Sequence, residues 1–202
     1  MMERMSEVGL KIIRRSAFTA TPWKNGGGIT HEAIRVPPTG DAFLWRVSVA
    51  QIDASGPFSD FSGYDRKMVL LQGRGIALEF GSGEYRALHS IGDWVEFDGA
   101  TPARCDLLDG PCVDLNLMVS QSLWTAARIE RLREPTPVAA ARGEATLIFG
   151  IQDPLSLDCR GESVRLETWD LAILNGCSAH LSKITPGEES APIAVFIATI
   201  SP

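Results

Sequence analysis

Three histidines occur in this 202-residue chain, His31, His89 and His180, and each stands apart from the other two. A barrel that carries a divalent metal needs a His-x-His pair plus further imidazole or carboxylate donors converging on one ion. Scattered histidines cannot supply that set. The expectation is a protein with no metal and no cofactor, in which each histidine is a surface or structural residue.

The stretch Trp23-Lys24-Asn25-Gly26-Gly27-Gly28-Ile29-Thr30 is the most unusual in the chain. Three successive glycines lose backbone entropy on ordering, and in return give access to positive φ and to uncovered amides that can converge on an anion. Trp23 adds a flat apolar wall, and the Asn25 amide can donate and accept. The blander account is a flexible loop leading into a strand over 29–36. No Gly-Lys-Ser/Thr follows, so this is not a nucleotide phosphate loop.

Two strands alternate cleanly. In Trp45-Arg46-Val47-Ser48-Val49-Ala50, Arg46, Ser48 and Ala50 share a face opposite Trp45, Val47 and Val49. In Asp114-Leu115-Asn116-Leu117-Met118, Asp114, Asn116 and Met118 oppose Leu115 and Leu117. Polar-out, apolar-in is one explanation. Small and soft residues such as Ser48, Ala50 and Met118 suit a cavity lining better. Between these strands, 56–66 reads GPFSDFSGYDR, with Phe58, Phe61 and Tyr64 able to close the mouth of a barrel. Arg66 could present its planar fork to a carboxylate, with Asp65 as its orienting partner. A structural Asp65–Arg66 ion pair beneath an aromatic plug is the competing account.

Elements that position such residues follow from the wider pattern. Short runs of Val, Ile, Leu, Phe and Trp punctuated by Gly, Pro, Asp and Ser fill 10–119 and predict many antiparallel strands. A single helix is expected over 122–133, ending before Pro135 and Pro137. At a constant offset of 77 residues the chain repeats itself: Leu70 meets Leu147, Leu78 meets Leu155, Asp93 meets Asp170, Phe97 meets Leu174 and Gly99 meets Gly176. Short antiparallel strands resolve their open edges by forming double-sheet jelly rolls or barrels. The expected fold is therefore all-β, with two duplicated cupin-type barrels. The first covers 10–121 and holds the ligand, 122–138 connects, and 139–202 forms a second, structural barrel.

Composition narrows the partners. The formal net charge is −6 and no Lys/Arg cluster interrupts it, which argues against nucleic acid. The first nine residues lack the continuous apolar core of a secretory signal, and no run of about 18 apolar residues is present to span a membrane. A soluble cytoplasmic protein is expected, with Cys105, Cys112, Cys159 and Cys177 as reduced thiols.

Taken in order, WKNGGGIT (23–30), WRVSVA (45–50), GPFSDFSGYDR (56–66), LLQGRG (70–75) and DLNLM (114–118) resemble the HutD/Ves family of bacterial proteins. The resemblance spans nearly the whole first half. It implies a bicupin fold without the usual metal ligands, and a regulatory or ligand-sensing role tied in some members to histidine utilisation and in others to stress response. It also implies a pocket at Asn25, Gly26, Gly27, Thr30, Arg46, Ser48, Phe58, Phe61, Asp65, Arg66 and Asn116. The chain departs from the family at Phe61-Ser62-Gly63, where a proline often precedes the glycine, so the closing loop is expected to differ in shape.

Two functions fit. One is a non-enzymatic binder or sensor of a small anionic metabolite, a carboxylate from amino-acid breakdown. The other is a metal-independent isomerase or hydrolase with Asp65 or Asp114 as general base. No Ser-His-Asp, Cys-His or paired-carboxylate constellation is visible, which favours the binder. Oligomeric state, a homodimer included, is left open.

Overall fold

The computed structural model describes residues 8–184 and 193–202. Residues 1–7, most of the segment expected to lack a secretory signal, lie outside them. Among the described residues the chain forms nineteen strands and one 3-10 turn, at Arg15–Ala17, and no helix is long and apolar enough to cross a membrane. In chain order the strands are β1 (Gly9–Ile13), β2 (Thr19–Pro22), β3 (Gly28–Val36), β4 (Trp45–Ile52), β5 (Gly56–Pro57), β6 (Tyr64–Gln72), β7 (Ile76–Phe80), β8 (Tyr85–Leu88), β9 (Trp94–Asp98) and β10 (Ala103–Leu107). They continue as β11 (Cys112–Ser120), β12 (Trp124–Leu132), β13 (Thr136–Ala139), β14 (Ala145–Gly150), β15 (Leu155–Cys159), β16 (Glu162–Leu166), β17 (Leu171–Asn175), β18 (Ser178–Lys183) and β19 (Ile193–Ser201).

Two compact units result. Phe18–Ser122 contains a six-stranded sheet, β2-β3-β4-β11-β6-β9, and a four-stranded sheet, β5-β10-β7-β8. Their inner faces meet in a core of Ile52, Met68, Leu70, Ile76, Leu78, Phe80, Leu88 and Ala103, joined by Cys105 and Cys112. Leu123–Pro202, with the stretch ending at Ala17, contains the sheets β1-β17-β14-β19-β12 and β13-β18-β15-β16. Its core gathers Ile148, Leu155, Leu157, Leu166, Leu174, Leu181, Val195 and Ile197. Burying each such aliphatic side chain contributes about 1.5–3 kcal/mol, so apolar alternation suffices to set the inner face of every strand.

Each unit is a cupin-type double sheet, and the strand order is duplicated. The order β4-β11-β6-β9 recurs as β12-β19-β14-β17, and β5-β10-β7-β8 recurs as β13-β18-β15-β16. Asp93 and Asp170 play one local role. Asp93 accepts the amides of His89 and Ser90 at 2.9 and 2.8 Å and donates its own amide to the Ser90 carbonyl at 2.9 Å. Asp170 accepts the Glu167 amide at 3.0 Å and donates to the Glu167 carbonyl at 3.0 Å. Each clasps the turn before β9 or β17, and Gly99 and Gly176 directly follow those strands.

The residue register differs from a constant offset of 77. Inward-facing Val95 and Phe97 match Ala172 and Leu174 at that spacing. Met68, opposite Val95, however matches Ile148, opposite Ala172, and Leu78 matches Leu157 at the centres of β7 and β15. Loops of unequal length shift the strands: four residues, 81–84, join β7 to β8, whereas Arg160 and Gly161 alone join β15 to β16.

Two boundaries also move. Residues 122–133 are not a helix, and 122–138 is not a connector, because β12 pairs with β19 over its whole length and β13 pairs with β18. The half-buried Thr125, Ala127 and Ile129 alternate with exposed Trp124, Ala126 and Arg128, and this period of two with β-branched residues outweighs the chain's helix-forming Ala and Arg. Residues 10–13 belong with the second unit, since β1 adds to its edge beside β17, from Gly9 opposite Asn175 to Ile13 opposite Leu171.

Candidate functional site

Ladder pairing fixes which side chains meet inside the Phe18–Ser122 unit. Ile52 belongs to the core, so alternation turns Arg46, Ser48 and Ala50 to the same inner face of β4. On β11 Asp114, Asn116 and Met118 face inward, and on β6 Arg66, Met68 and Leu70 do. Three parallel rows cross the sheet. Arg46 lies opposite Met118, which lies opposite Arg66; Ser48 is followed by Asn116 and Met68; Ala50 is followed by Asp114 and Leu70. A bulge between Glu32 and Ile34 on β3 changes that strand's parity, bringing Glu32 opposite Ser48 and Arg35 opposite Arg46.

Arg66 is 5% exposed. Its Nη2 donates to the Asn116 side-chain oxygen at 2.8 Å, and the Asn116 amide donates in turn to Oδ1 of Asp114 through a short hydrogen bond. Burial, opposed by the nearby Asp114, lowers the Arg66 pKa to about 10. Asp114 is fully buried, and burial pushes its carboxyl up to about 7 against the pull of Arg66 and the Asn116 hydrogen bond. Rings of Phe97, Phe58 and Phe61 surround the Arg66 guanidinium at 4.9, 5.0 and 5.5 Å from their centroids. Such contacts favour the cation while keeping water away.

Arg46 is the more accessible arginine, its side chain 19% exposed. Burial lowers its pKa, Glu32 opposes the shift and Arg35 adds to it. Glu32 sits 3.6 Å from its Nε, an ion pair beyond hydrogen-bond reach. Phe61 and Phe43 lie 5.7 and 5.9 Å from its guanidinium carbon. Three buried polar atoms of this cluster have no hydrogen-bond partner: Nε of Arg46, Nε of Arg66 and Oδ2 of Asp114. Orphaned buried donors cost roughly 1–3 kcal/mol each, and an anion accepting from the two arginines removes that cost.

Of the residues the resemblance implied, the structure gathers Arg46, Ser48, Phe58, Phe61, Arg66 and Asn116. Thr30 shares the inner face and the row of Ala50 and Asp114, two strands from Asp114, and its hydroxyl accepts the Trp23 indole at 2.8 Å. Asn25, Gly26 and Gly27 lie elsewhere. Their turn packs against the far end of β4, about 20 Å from the Arg46 row at roughly 3.3 Å per residue. Its amides are already used: Gly26 donates to the Trp23 carbonyl at 3.0 Å and Gly27 to Oδ1 of Asn25 at 3.0 Å. Gly28 serves close packing, since a Cβ there would run into the Gln51 carbonyl, and Gly26 supplies the left-handed φ of 71° that the turn needs. Asp65 is also outside the cluster. As neighbours on one strand, Asp65 and Arg66 point to opposite faces, and Asp65 instead accepts the Gln121 amide at 3.1 Å.

Asp114, Met118, Phe43, Phe97 and Glu32 complete the cluster without belonging to the implied pocket. Asp114 and Met118 were visible through alternation with Asn116, while Glu32 depends on a bulge that carries no sequence mark. No three His, Cys, Asp or Glu side chains gather into a group able to hold a metal among the described residues. All four cysteines are free thiols, and Cys105, on the β10 side of the core, is pushed up to about 12, chiefly by burial.

Comparison with known proteins agrees with this architecture. A 21.2 kDa uncharacterized protein in the hutC 3′ region of Pseudomonas putida is 34% identical over 169 residues, covering 83% of this chain and 87% of that protein. Protein Ves of Escherichia fergusonii is 34% identical over 97 residues, 48% of this chain and 50% of Ves. Among solved structures, a conserved protein of unknown function from Pseudomonas aeruginosa PAO1 superposes with a TM-score of 0.84 at 28% identity, covering 96% of this chain and 100% of that one. HutD from Pseudomonas fluorescens SBW25, solved in a formate condition, gives 0.76 at 28% identity over the same shares. An oxalate decarboxylase from Lactobacillus farciminis gives 0.68 at 8% identity, covering 98% of this chain and 89% of that one, which shows the shared cupin fold alone. The HutD family profile matches residues 15–191, and the chain therefore belongs to the HutD family.

Proposed function

We propose that this chain is a non-enzymatic binder or sensor of a small carboxylate metabolite, held at the inner-face arginines of the Phe18–Ser122 unit, and that it modulates histidine utilisation. The observation that carries this reading is the Arg46–Arg66 pair, one on either side of Met118, each with a buried Nε lacking a hydrogen-bond partner. A carboxylate losing its water needs such donors, and a guanidinium matches two carboxylate oxygens while keeping its charge. Phe58, Phe61 and Phe97 crowd the guanidinium of Arg66 and favour a small ligand.

The hutC-region name of the Pseudomonas putida relative and the HutD name of the Pseudomonas fluorescens structure support a ligand from histidine breakdown, such as a formylated or imidazole-bearing acid. The formate condition of the latter is consistent with carboxylate chemistry. One observation favours a metal-independent isomerase or hydrolase: a carboxyl at about 7, as Asp114 has, suits general-base work near neutral pH. Cys105, whose thiol Asp114 helps raise to about 12, makes a poor nucleophile beside it, so binding remains the better reading.

The test is a panel of amino-acid breakdown acids, with calorimetry for binding and chromatography for turnover. Saturable binding without conversion is expected. Steady conversion of any acid establishes the enzyme instead, and a panel without binding removes the carboxylate reading.

A further inference from the structure

Resting on the carboxylate-binding reading, we infer that Asp114 makes binding proton-linked: it takes up a proton as a carboxylate settles on the arginines, so the site admits anion and proton together. Asp114 is 1% exposed, and its Oδ1 reaches a cation only through Asn116, which connects it to Arg66. Its Oδ2 has no partner. A ligand carboxylate on Arg66 draws on the same positive charge. Two carboxylates then draw on the Arg46–Arg66 pair, whose charge Glu32 already offsets in part, and in a desolvated space the one without other donors neutralises.

Beyond Arg46 and Arg66, the inner face adds one cation, Arg35, on the Arg46 side, where Glu32 also lies. The inner face of β4 carries Arg46 and, directly opposite Asp114, Ala50; β3 carries Glu32 and Arg35 near Arg46 and Thr30 opposite Ala50. On the inner face of β6 the charged group is Arg66, with Leu70 opposite Asp114. On β10 Cys105 faces Asp114, and Cys112 shares its core. No histidine or lysine stands among these groups, and Glu32 and the ligand itself are negative. A carboxyl already at about 7 needs only a modest further rise to hold its proton when an anion arrives.

Formate is the probe, titrated calorimetrically into the full-length protein between about pH 6 and pH 8.5, where formate itself stays ionised. Each condition is repeated in two buffers of different ionisation enthalpy, which reveals proton uptake. At about pH 8 the wild type is expected to take up a measurable fraction of a proton per formate, with affinity falling as pH rises above about 7. Asp114→Asn, which keeps volume and removes titration, is expected to bind with no uptake and a flat profile. Wild-type binding without proton uptake, or Asp114→Asn retaining the pH dependence, overturns the inference and leaves the carboxylate site standing. No formate binding at any pH overturns the site and the inference with it.

Discussion

Replacing Arg66 by Met separates ligand affinity from stability. Methionine keeps much of the length and removes the charge, the Asn116 contact and the unpartnered Nε. The expected loss in binding is that of one charge-assisted hydrogen bond, about 2 kcal/mol, or roughly thirtyfold in Kd. Stability should move little, because opposing changes nearly cancel. Arg66 is 5% exposed among Phe58, Phe61 and Phe97, and burial lowers its pKa to about 10, so the fold already holds this cation against its solvation preference. Removing a buried cation recovers its desolvation cost, offset here by roughly 0.5–2 kcal/mol of lost cation–π attraction and roughly 1–3 kcal/mol for the Asn116 oxygen left without its donor. Asp114 is not left as a bare charge, because losing Arg66 raises its pKa further and it protonates. Calorimetry with a carboxylate from the panel and a thermal melt decide together. The expected Tm lies within about 4 °C of wild type. Unchanged affinity in a folded variant refutes the anion site, and a Tm lower by more than about 10 °C would make Arg66 a structural post.

Three other perturbations probe the same geometry. Asp114 has a folded pKa of about 7 against its usual 3.8, so between these values the native state holds a proton that the unfolded chain releases. Stability therefore falls as pH rises through that window; Asp114→Asn should exceed wild type by on the order of a few kcal/mol at about pH 8 and match it below about pH 4 in urea melts. A constant gap between the two proteins across pH would contradict the assignment. Gly99→Ala places a methyl 2.7 Å from the Tyr64 carbonyl and against that of Phe61, so it should destabilise by about 2–3 kcal/mol and, by moving the Phe61 wall, weaken ligand binding. Asn25→Ala removes the Oδ1 cap on the Gly27 amide and should cost about 1 kcal/mol in a denaturant melt while leaving ligand affinity alone; reduced affinity would return the glycine turn to the site.

Strand periodicity made most of the site legible. Arg46 with Ser48, and Asp114 with Asn116 and Met118, share an inner face because side chains alternate, and the same rule separates Asp65 from Arg66. Pairing Asp65 with Arg66 from adjacency alone overlooks that geometry. Glycine content was ambiguous for a different reason: close approach to the Gln51 carbonyl and the binding of an anion both require a missing Cβ, and no residue type distinguishes them. Long-range pairing was not legible. Nothing in Gly9–Ile13 marks β17, more than 150 residues away, as its partner, and Trp124–Leu132 mixes alternation with helix-forming residues. Glu32 reaches the cluster through a bulge, a backbone event without a composition signal.

The two inner faces differ in a way that supports the proposed site in the Phe18–Ser122 unit. Through the ladders, Arg66 corresponds to Thr146, both lying opposite the inward Phe97 or Leu174. Met118 then corresponds to Thr199, Asn116 to Ile197 and Asp114 to Val195, each one ladder step away. The Thr146 hydroxyl is held by the Ala139 carbonyl at 2.9 Å and lies 3.1 Å from that of Thr199, leaving no orphaned donor there. Where one unit buries an arginine, an amide and a carboxyl, the other buries a hydroxyl and two aliphatic side chains. An apolar filling is the lower-energy solution for a jelly-roll interior, since each buried polar group must recover its hydration loss. Retaining Arg66, Asn116 and Asp114, with two of the three carrying an unpartnered atom, sacrifices stability that the second unit does not give up. An anion accepting from Arg46 and Arg66 would offset that sacrifice, which is why the proposed ligand is sought in the Phe18–Ser122 unit.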